Sequence, residues 1–372
     1  MPDLPSRPSC CGGPSDKAYC PAPARTEPFL DGTIDTPAGP VPRLATRLTH
    51  ADRIGGWKVR WGIGRDRYAV APGLYATGRP KPDSPVLVTA NYKLTVDLLR
   101  SQLGGIDAWV LVLDTRGVNV WCAAGKGTFG TEELVDRLRA VKLHSVVTHR
   151  DLILPQLGAP GVAAHGVIKR TGFRVHYGPV RADDLPGYFG GGMKAAEEMR
   201  RVRFTLADRL VLAPVELTGG LKPLLLVLFA VVLASGLAVR PFEPAQAAAV
   251  ALAYGGWLVL AYLAAALLVP LGLPWLPGRA LALKGLWPGL LLSALCWAFF
   301  RAHPALVPHP WTTIGWMALL PAVTSFIGMN FTGATPYTSL SGVKYEMRRA
   351  VPLQVLGAVS AVVLWVAGGF LR

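Results

Sequence analysis

The chain has 372 residues, of which 51% are hydrophobic and only 16% charged, with a formal net charge of +15. Soluble domains carry about 25% charged residues, so this average excludes an ordinary, wholly soluble protein. The length allows about two or three domains.

The average conceals two halves. Residues 1–220 hold 29 Lys/Arg and 21 Asp/Glu, which makes 50 of 220 positions charged. Residues 221–372 hold nine Lys/Arg and two acids, Glu243 and Glu346, which makes 11 of 152. The first density suits a soluble domain and the second a membrane segment, so a wholly embedded protein is excluded too. The net charge divides into +8 and +7 across this cut. A nucleic-acid surface needs its basic residues in one patch. Here they are dispersed and half the excess flanks apolar spans, which points to lipid as the partner and not to nucleic acid. The five cysteines, at 10, 11, 20, 122 and 296, form no disulfide framework. Residues 1–30 show no apolar signal-peptide core. A reducing cytoplasmic setting is expected for the soluble half.

In chain order, residues 1–40 are rich in Pro, Gly, Ser and Ala and read as a disordered tail. Residues 41–200 read as an α/β domain. Val86–Ala90 and Ala108–Leu113 are apolar, β-rich runs. Ser145–Thr148 and Gly172–Tyr177 are taken as a third and fourth strand. Helices are expected over Leu94–Leu103 and from Thr131 to about Val141, the second with Thr131 as N-cap and acids in its first turn. Apolar strands alternating with helices imply a mainly parallel, Rossmann-like sheet covered on both faces. Ligands bind such sheets at the carboxyl ends of the strands.

Residues 201–220 are a basic connector, with Arg201, Arg203 and Arg209 following Arg200. An all-α transmembrane domain of five helices is then expected over 221–372, with spans at about 223–239, 245–270, 286–300, 311–329 and 351–371. The connector and the 273–285 and 330–350 loops carry more Lys/Arg than the opposite side. The positive-inside rule therefore puts the soluble domain in the cytoplasm and the C-terminus outside an inner membrane. Trp257, Trp275, Trp287, Trp311, Trp316 and Trp365 include candidate interface anchors. The spans as drawn hold no acid to mark an ion path, and no internal repeat suggests a transporter.

The segment richest in chemistry is 117–130, lying between an expected strand and an expected helix. Its Gly125-x-Gly127-x-x-Gly130 matches a dinucleotide fingerprint only weakly, and Gly125-Lys126 lacks the rest of a phosphate loop. Cys122 reads either as an inert buried thiol or as a soft ligand for a transition metal. The small Ala123, Ala124 and Gly125 beside it let a flat molecule approach the backbone, and Trp121 reads as packing or as a shield.

Asn119-Val120-Trp121-Cys122-Ala123-Ala124-Gly125-Lys126 resembles the cap-helix motif of the mercury-methylating corrinoid protein family. Val88–Lys93, Leu154–His165 and Tyr177–Ala182 resemble segments which that family shares with the corrinoid iron-sulfur protein of acetyl-CoA synthesis. Asn330–Ser339 and Ser341–Val343 also look familial, so the resemblance covers roughly residues 50–372. One absence sets the chain apart from the corrinoid iron-sulfur protein, which carries its own cluster, and another from cobalamin proteins generally. Cys10, Cys11 and Cys20 fit no [4Fe–4S] run, so no cluster of its own is expected. The Asp-x-His-x-x-Gly motif that supplies a histidine ligand is also missing.

The resemblance implies a corrinoid cofactor and a methyltransferase that moves a methyl group from cobalt to Hg(II), giving methylmercury. Mercury is an electrophile, so the methyl group must leave with electron density, which a donating Cys122 thiolate on the lower face of cobalt would favour. Asn119, Val120, Trp121, Ala123, Ala124, Gly125 and Lys126, with Thr89, Asn91, Gln156 and Gly158, are the expected corrin-lining set. Implied partners are a two-cluster ferredoxin as electron donor and a methyltetrahydrofolate-linked methyl donor. Cys10 and Cys11 form a candidate vicinal pair for Hg(II). Two alternatives stand beside this reading: a membrane-anchored methyl carrier of one-carbon, acetyl-CoA-pathway-like metabolism, and a tethered binding module without turnover.

Overall fold

The computed structural model describes residues 27–238, 243–307, 309–331, 335–338 and 340–370. Cys10, Cys11 and Cys20, with most of the expected tail, lie outside the described residues. The rest divides into two compact units, one running to Val59 with Ile63–Val202, the other comprising Arg60–Gly62 and the residues from Arg203 onward.

The first unit is built from β1 (Leu30–Thr36), β2 (Gly39–Leu44), α1 (His50–Arg60), β3 (Gly73–Thr77), β4 (Val86–Ala90), α2 (Lys93–Ser101), β5 (Ala108–Leu113), α3 (Val120–Lys126) and α4 (Thr131–Ala140). It continues through α5 (Leu143–Val146), β6 (Asp151–Leu154), α6 (Ala164–Thr171), β7 (Arg174–Tyr177), α7 (Leu185–Gly190) and α8 (Glu197–Arg200). The seven strands lie in the order β1-β2-β3-β5-β4-β6-β7. β5, β4, β6 and β7 run parallel. β3 is antiparallel to β5, and β1–β2 is an antiparallel hairpin. The sheet is therefore mixed.

Side chains alternate across a strand, and β5 shows why these runs are apolar throughout. Trp109, Leu111 and Leu113 enter the core on one face, and Ala108, Val110 and Val112 enter the core on the other. A strand buried on both faces has no polar alternation to display.

Three expectations need correction. The expected tail does not run to residue 40, because Leu30–Thr36 and the residues from Gly39 pair as a hairpin. Ser145–Thr148 is not a strand: the chain turns helical at Leu143 after Lys142 adopts a positive φ of 49°, and the strand begins at Asp151. Thr131 does not cap α4. Its N-cap is Gly130, and the Thr131 hydroxyl accepts instead from the Ala163 amide at 2.8 Å.

A buried charge cluster ties α1 to α2. Thr49 and Asp52 cap α1 reciprocally. Asp52 and Asp97 both contact Lys93 and the fully buried Arg100 at 2.7–2.9 Å. Burial is the largest influence on Asp52 and pushes its pKa up, but the hydrogen bonds from Lys93, Thr49 and Arg100 outweigh it and hold the carboxyl far below the usual range.

The second unit is helical: α9 (Leu206–Leu210), α10 (Ala213–Gly219), α11 (Leu221–Ala238), α12 (Pro244–Leu263), α13 (Val269–Gly272), α14 (Leu281–Ala302), α15 (Pro310–Asn330) and α16 (Leu340–Phe370). A π segment, Ala264–Leu268, joins α12 to α13. Pro270 follows it, with no N–H to offer the carbonyl four residues back. Four helices are long and apolar enough to cross a membrane: Pro244–Gly272, Leu281–Ala302, Pro310–Asn330 and Gly342–Gly368. A fifth span requires that Leu206–Gly219 and Leu221–Gly236, bent by 46°, cross as one. The count among the described residues is thus four or five.

α14 and α15 approach closely through Gly285-x-x-x-Gly289, a spacing that brings backbones together in membrane helices. A Cβ at Gly285 would stand 2.5 Å from the Thr324 carbonyl, and one at Gly289 would collide with Pro321 and Thr324. Trp316 is fully buried against Trp365 and Tyr254, so it is core and not an interface anchor. α16 begins well before the expected residue 351 and brings Glu346 into the bundle, 9% exposed, which corrects the reading of spans without acids.

Candidate functional site

The carboxyl ends of β5, β4, β6 and β7 share one edge of the sheet, and the 117–130 segment lies there. The chain leaves β5 through Asp114–Asn119, with Arg116 and Gly117 at φ 58° and 72°. Asn91, just beyond β4, fixes this loop. Its Oδ1 accepts from the Thr115 and Gly117 amides at 3.1 and 2.9 Å, and lies 2.8 Å from the Thr115 hydroxyl. Thr115 has one hydroxyl proton to share between Asn91 and the Val118 carbonyl at 2.6 Å. Asn91 is 5% exposed. The structure therefore gives it a bracing task that its sequence context did not reveal.

α3 follows. Asn119 is its N-cap, and its side chain accepts from the Cys122 amide at 2.9 Å. Gly127 closes the helix at φ 78°. Val120, Ala123 and Ala124 turn inward, Cys122 is half-buried, and Trp121, Gly125 and Lys126 are exposed. The helix thus offers the indole and the thiol on its outer surface while its small residues seat it on the core. Ala123 also accepts from the Thr128 and Phe129 amides at 3.0 and 3.1 Å, which folds the chain back toward α4.

The loop after β6 completes the edge. A Cβ at Gly158 would stand 2.5 Å from the Phe129 ring, and one at Gly161 would strike the Phe129 carbonyl and crowd Ala124. Gly158 serves this packing. Phe129, fully buried, and Gly161 are site-building residues that the motif reading left out. Gln156 projects from the same loop, and its buried Oε1 has no hydrogen-bond partner. Thr89 is buried within β4, where it pairs with Val112.

Cys122, Trp121 and the residues of α3 therefore share one edge of the sheet with Gln156 and Gly158. Three features suit this edge to a broad, flat corrinoid. Gln156 offers an unused buried acceptor. Gly125 has open space where a side chain would stand. Cys122 offers a half-exposed soft donor. No group of three or more His, Cys, Asp or Glu side chains is arranged for a metal ion among the described residues. Two histidines lie elsewhere in the scaffold: His149, just before β6, contacts the Ser84 carbonyl, and His176, within β7, contacts Asp151 at 2.8 Å.

Residues 64–188 match a family profile described as CO dehydrogenase/acetyl-CoA synthase delta subunit. The acetyl-CoA decarbonylase/synthase complex subunit gamma of Archaeoglobus fulgidus is 36% identical over 122 residues, 32% of this chain and 25% of that protein. The gamma subunit of Methanopyrus kandleri is 34% identical over 126 residues, 33% of this chain and 27% of that protein. Gamma subunit 2 of Methanosarcina mazei is 35% identical over 129 residues, again 33% and 27%. The chain spans about a quarter of the length of these relatives.

These matches correct the expected family. The relatives are named as subunits of an acetyl-CoA decarbonylase/synthase complex, not as mercury-methylating proteins. The methyltransferase acting on Hg(II) and the methylmercury product fall with that expectation. So do the partners drawn from it, the two-cluster ferredoxin and the methyltetrahydrofolate-linked donor, because proteins so named have other subunits of their complex as partners.

Proposed function

We propose that the α/β unit is a corrinoid-binding methyl carrier of one-carbon, acetyl-CoA-pathway-like metabolism, held at a membrane by the helical unit. The observation that supports it is the placement of α3. Its half-exposed Cys122 stands at the carboxyl edge of the parallel strands, inside the segment that matches the acetyl-CoA synthase family. When bound, a corrinoid supplies a cobalt centre able to carry a methyl group.

The residues of this chain then have distinct tasks. Cys122 would hold the cobalt through its sulfur, and the Asn119 cap holds the start of α3 so that the thiol stays in place. Trp121 covers the outer surface beside it and excludes water. Gln156 would accept a hydrogen bond from an amide of the corrinoid, which would satisfy an otherwise idle buried oxygen. Asn91 acts one step back, by holding the loop that leads into α3. The partners are further subunits of a complex for acetyl-CoA synthesis or cleavage. Four or five spans make the protein multi-pass, with the α/β unit in the cytoplasm by the charge of the loops; the C-terminus is outside when the bent pair 206–236 crosses as a fifth span.

Reconstitution tests the reading. Full-length protein in detergent, incubated with a methylated corrinoid and desalted, should retain about one cobalt per chain. It should also pass its methyl label to an acetyl-CoA decarbonylase/synthase preparation. Retention without transfer would remove the carrier role, and no retention would remove the cofactor.

A further inference from the structure

The helical unit contains a cleft of about 880 Å³ walled by α14, α15 and α16. Its lining is mainly apolar, but polar groups lie along one face of α16. Glu346, Arg349, Gln354 and Gly357 are three, five and three residues apart and all line the cleft. That spacing keeps them on one helical stripe, and the rise from Glu346 to Gly357 is about 16 Å at 1.5 Å per residue.

Each polar member has unused capacity. Glu346 accepts from the Ala282 amide and, among the described residues, has no cationic partner. Arg349 stacks on the Tyr345 ring, 3.7 Å from its centroid, and with Arg279 lines the cleft without a carboxylate partner among the described residues. Gln354 is 7% exposed. Its Nε2 donates to the Ser325 hydroxyl at 2.9 Å, and that hydroxyl donates to the Ala282 carbonyl at 2.9 Å. The chain of donors fixes the amide orientation, so Oε1 is the oxygen left buried without a partner. It calls for a donor from outside the protein.

We infer that this cleft binds one monoacyl glycerophosphoethanolamine lipid. The order of groups along α16 matches that molecule from head to tail: carboxylate for the ammonium, Arg349 with Arg279 for the phosphate, the Gln354 oxygen for the free glycerol hydroxyl, and the apolar wall at Leu353 and Gly357 for the chain. A diacyl lipid has an ester where the hydroxyl stands and leaves Gln354 unsatisfied. The volume agrees, since cavities of about 300–1,000 Å³ hold one drug-sized molecule, enough for a head and one chain.

The test is native mass spectrometry of the delipidated full-length protein, titrated with monoacyl phosphatidylethanolamine, its diacyl counterpart, monoacyl phosphatidylglycerol and a ubiquinol-type hydroxylated amphiphile. One equivalent of the first should bind at least about tenfold more tightly than the others, the gain expected of a charge-assisted or buried hydrogen bond. Gln354→Leu should erase the preference for monoacyl over diacyl lipid. Glu346→Gln should erase that for ethanolamine over glycerol. Equal binding of all four amphiphiles by the wild-type protein, tighter binding of the diacyl lipid, or preference for the quinol would each overturn the inference. The wild-type panel is decisive even where a variant fails to fold.

Discussion

The α/β unit closes its largest buried charge cluster on itself, whereas the helical unit leaves several buried polar groups idle. In the α/β unit Asp52, Lys93, Asp97 and Arg100 meet in a closed ionic cluster, and Asn91 spends its oxygen on one loop. In the helical unit Gln354 keeps an idle buried oxygen, and the Nε and Nη1 groups of the buried Arg209 have no hydrogen-bond partner. Arg209 does lie 5.4 Å from the centre of the Trp275 ring. Saturated polar networks position a scaffold, whereas idle ones point to what binds. By the same standard the idle Gln156 oxygen at the sheet edge is the informative one there among the described residues.

The comparison is most strongly challenged at Arg100. Arg100→Leu removes one of the two cationic partners of each buried carboxylate, leaving Lys93 alone to serve Asp52 and Asp97, and should cost about 3–5 kcal/mol, read as an early loss of sheet signal in chemical unfolding. A change below about 0.5 kcal/mol would show that the cluster is not structural. Next comes the helix contact: Gly289→Leu forces α14 from α15 and should cost about 1–3 kcal/mol of bundle stability, seen in detergent melts, with the α/β unit unaffected. Asn91→Ala leaves the Thr115 and Gly117 amides short of an acceptor. It should cost about 1–3 kcal/mol and raise hydrogen exchange across residues 114–118.

The pH effect is smaller but has a definite sign. The depressed Asp52 pKa contributes stability above the ordinary carboxylate value, and this is lost as pH falls through the lower folded value. Burial lowers the Lys93 pKa, but Asp52 and Asp97 outweigh it and leave it raised. The Lys93 contribution therefore holds below the ordinary lysine value and disappears as pH rises through the higher folded one. Denaturation midpoints should be flat near neutrality and fall at both extremes. In Asp52→Asn the acid limb should soften.

Much of this architecture was legible in the residues. β4 and β5 announce themselves as unbroken apolar runs because both faces are buried. The helical half declares itself through its charge deficit. β3 was missed because a five-residue Gly-Leu-Tyr-Ala-Thr run carries little signal by itself and gains its identity from antiparallel pairing with β5. β6 was misplaced because Ser145–Thr148 and Asp151–Leu154 are both short apolar runs, and only the turn begun at Lys142 separates them. At the site, Ala123 and Ala124, expected to let a flat molecule approach, are instead buried and seat α3 on the core, and Gly125 is the small residue of the three left open. Asn91 could not be read as a brace, because its partners lie more than twenty residues away and meet it only through the sheet.

The central claim is that α3 presents Cys122 to a corrinoid. Visible absorption of a corrinoid titrated into the full-length wild-type protein and into Cys122→Ala tests it directly. Because Cys122 is half-buried and its side chain makes no hydrogen bond among the described residues, the variant should unfold within about 0.5 kcal/mol of wild type. A spectrum perturbed on binding to wild type, and returned to the free-cofactor form with Cys122→Ala, is the predicted result. Identical spectra for the two proteins would contradict the account.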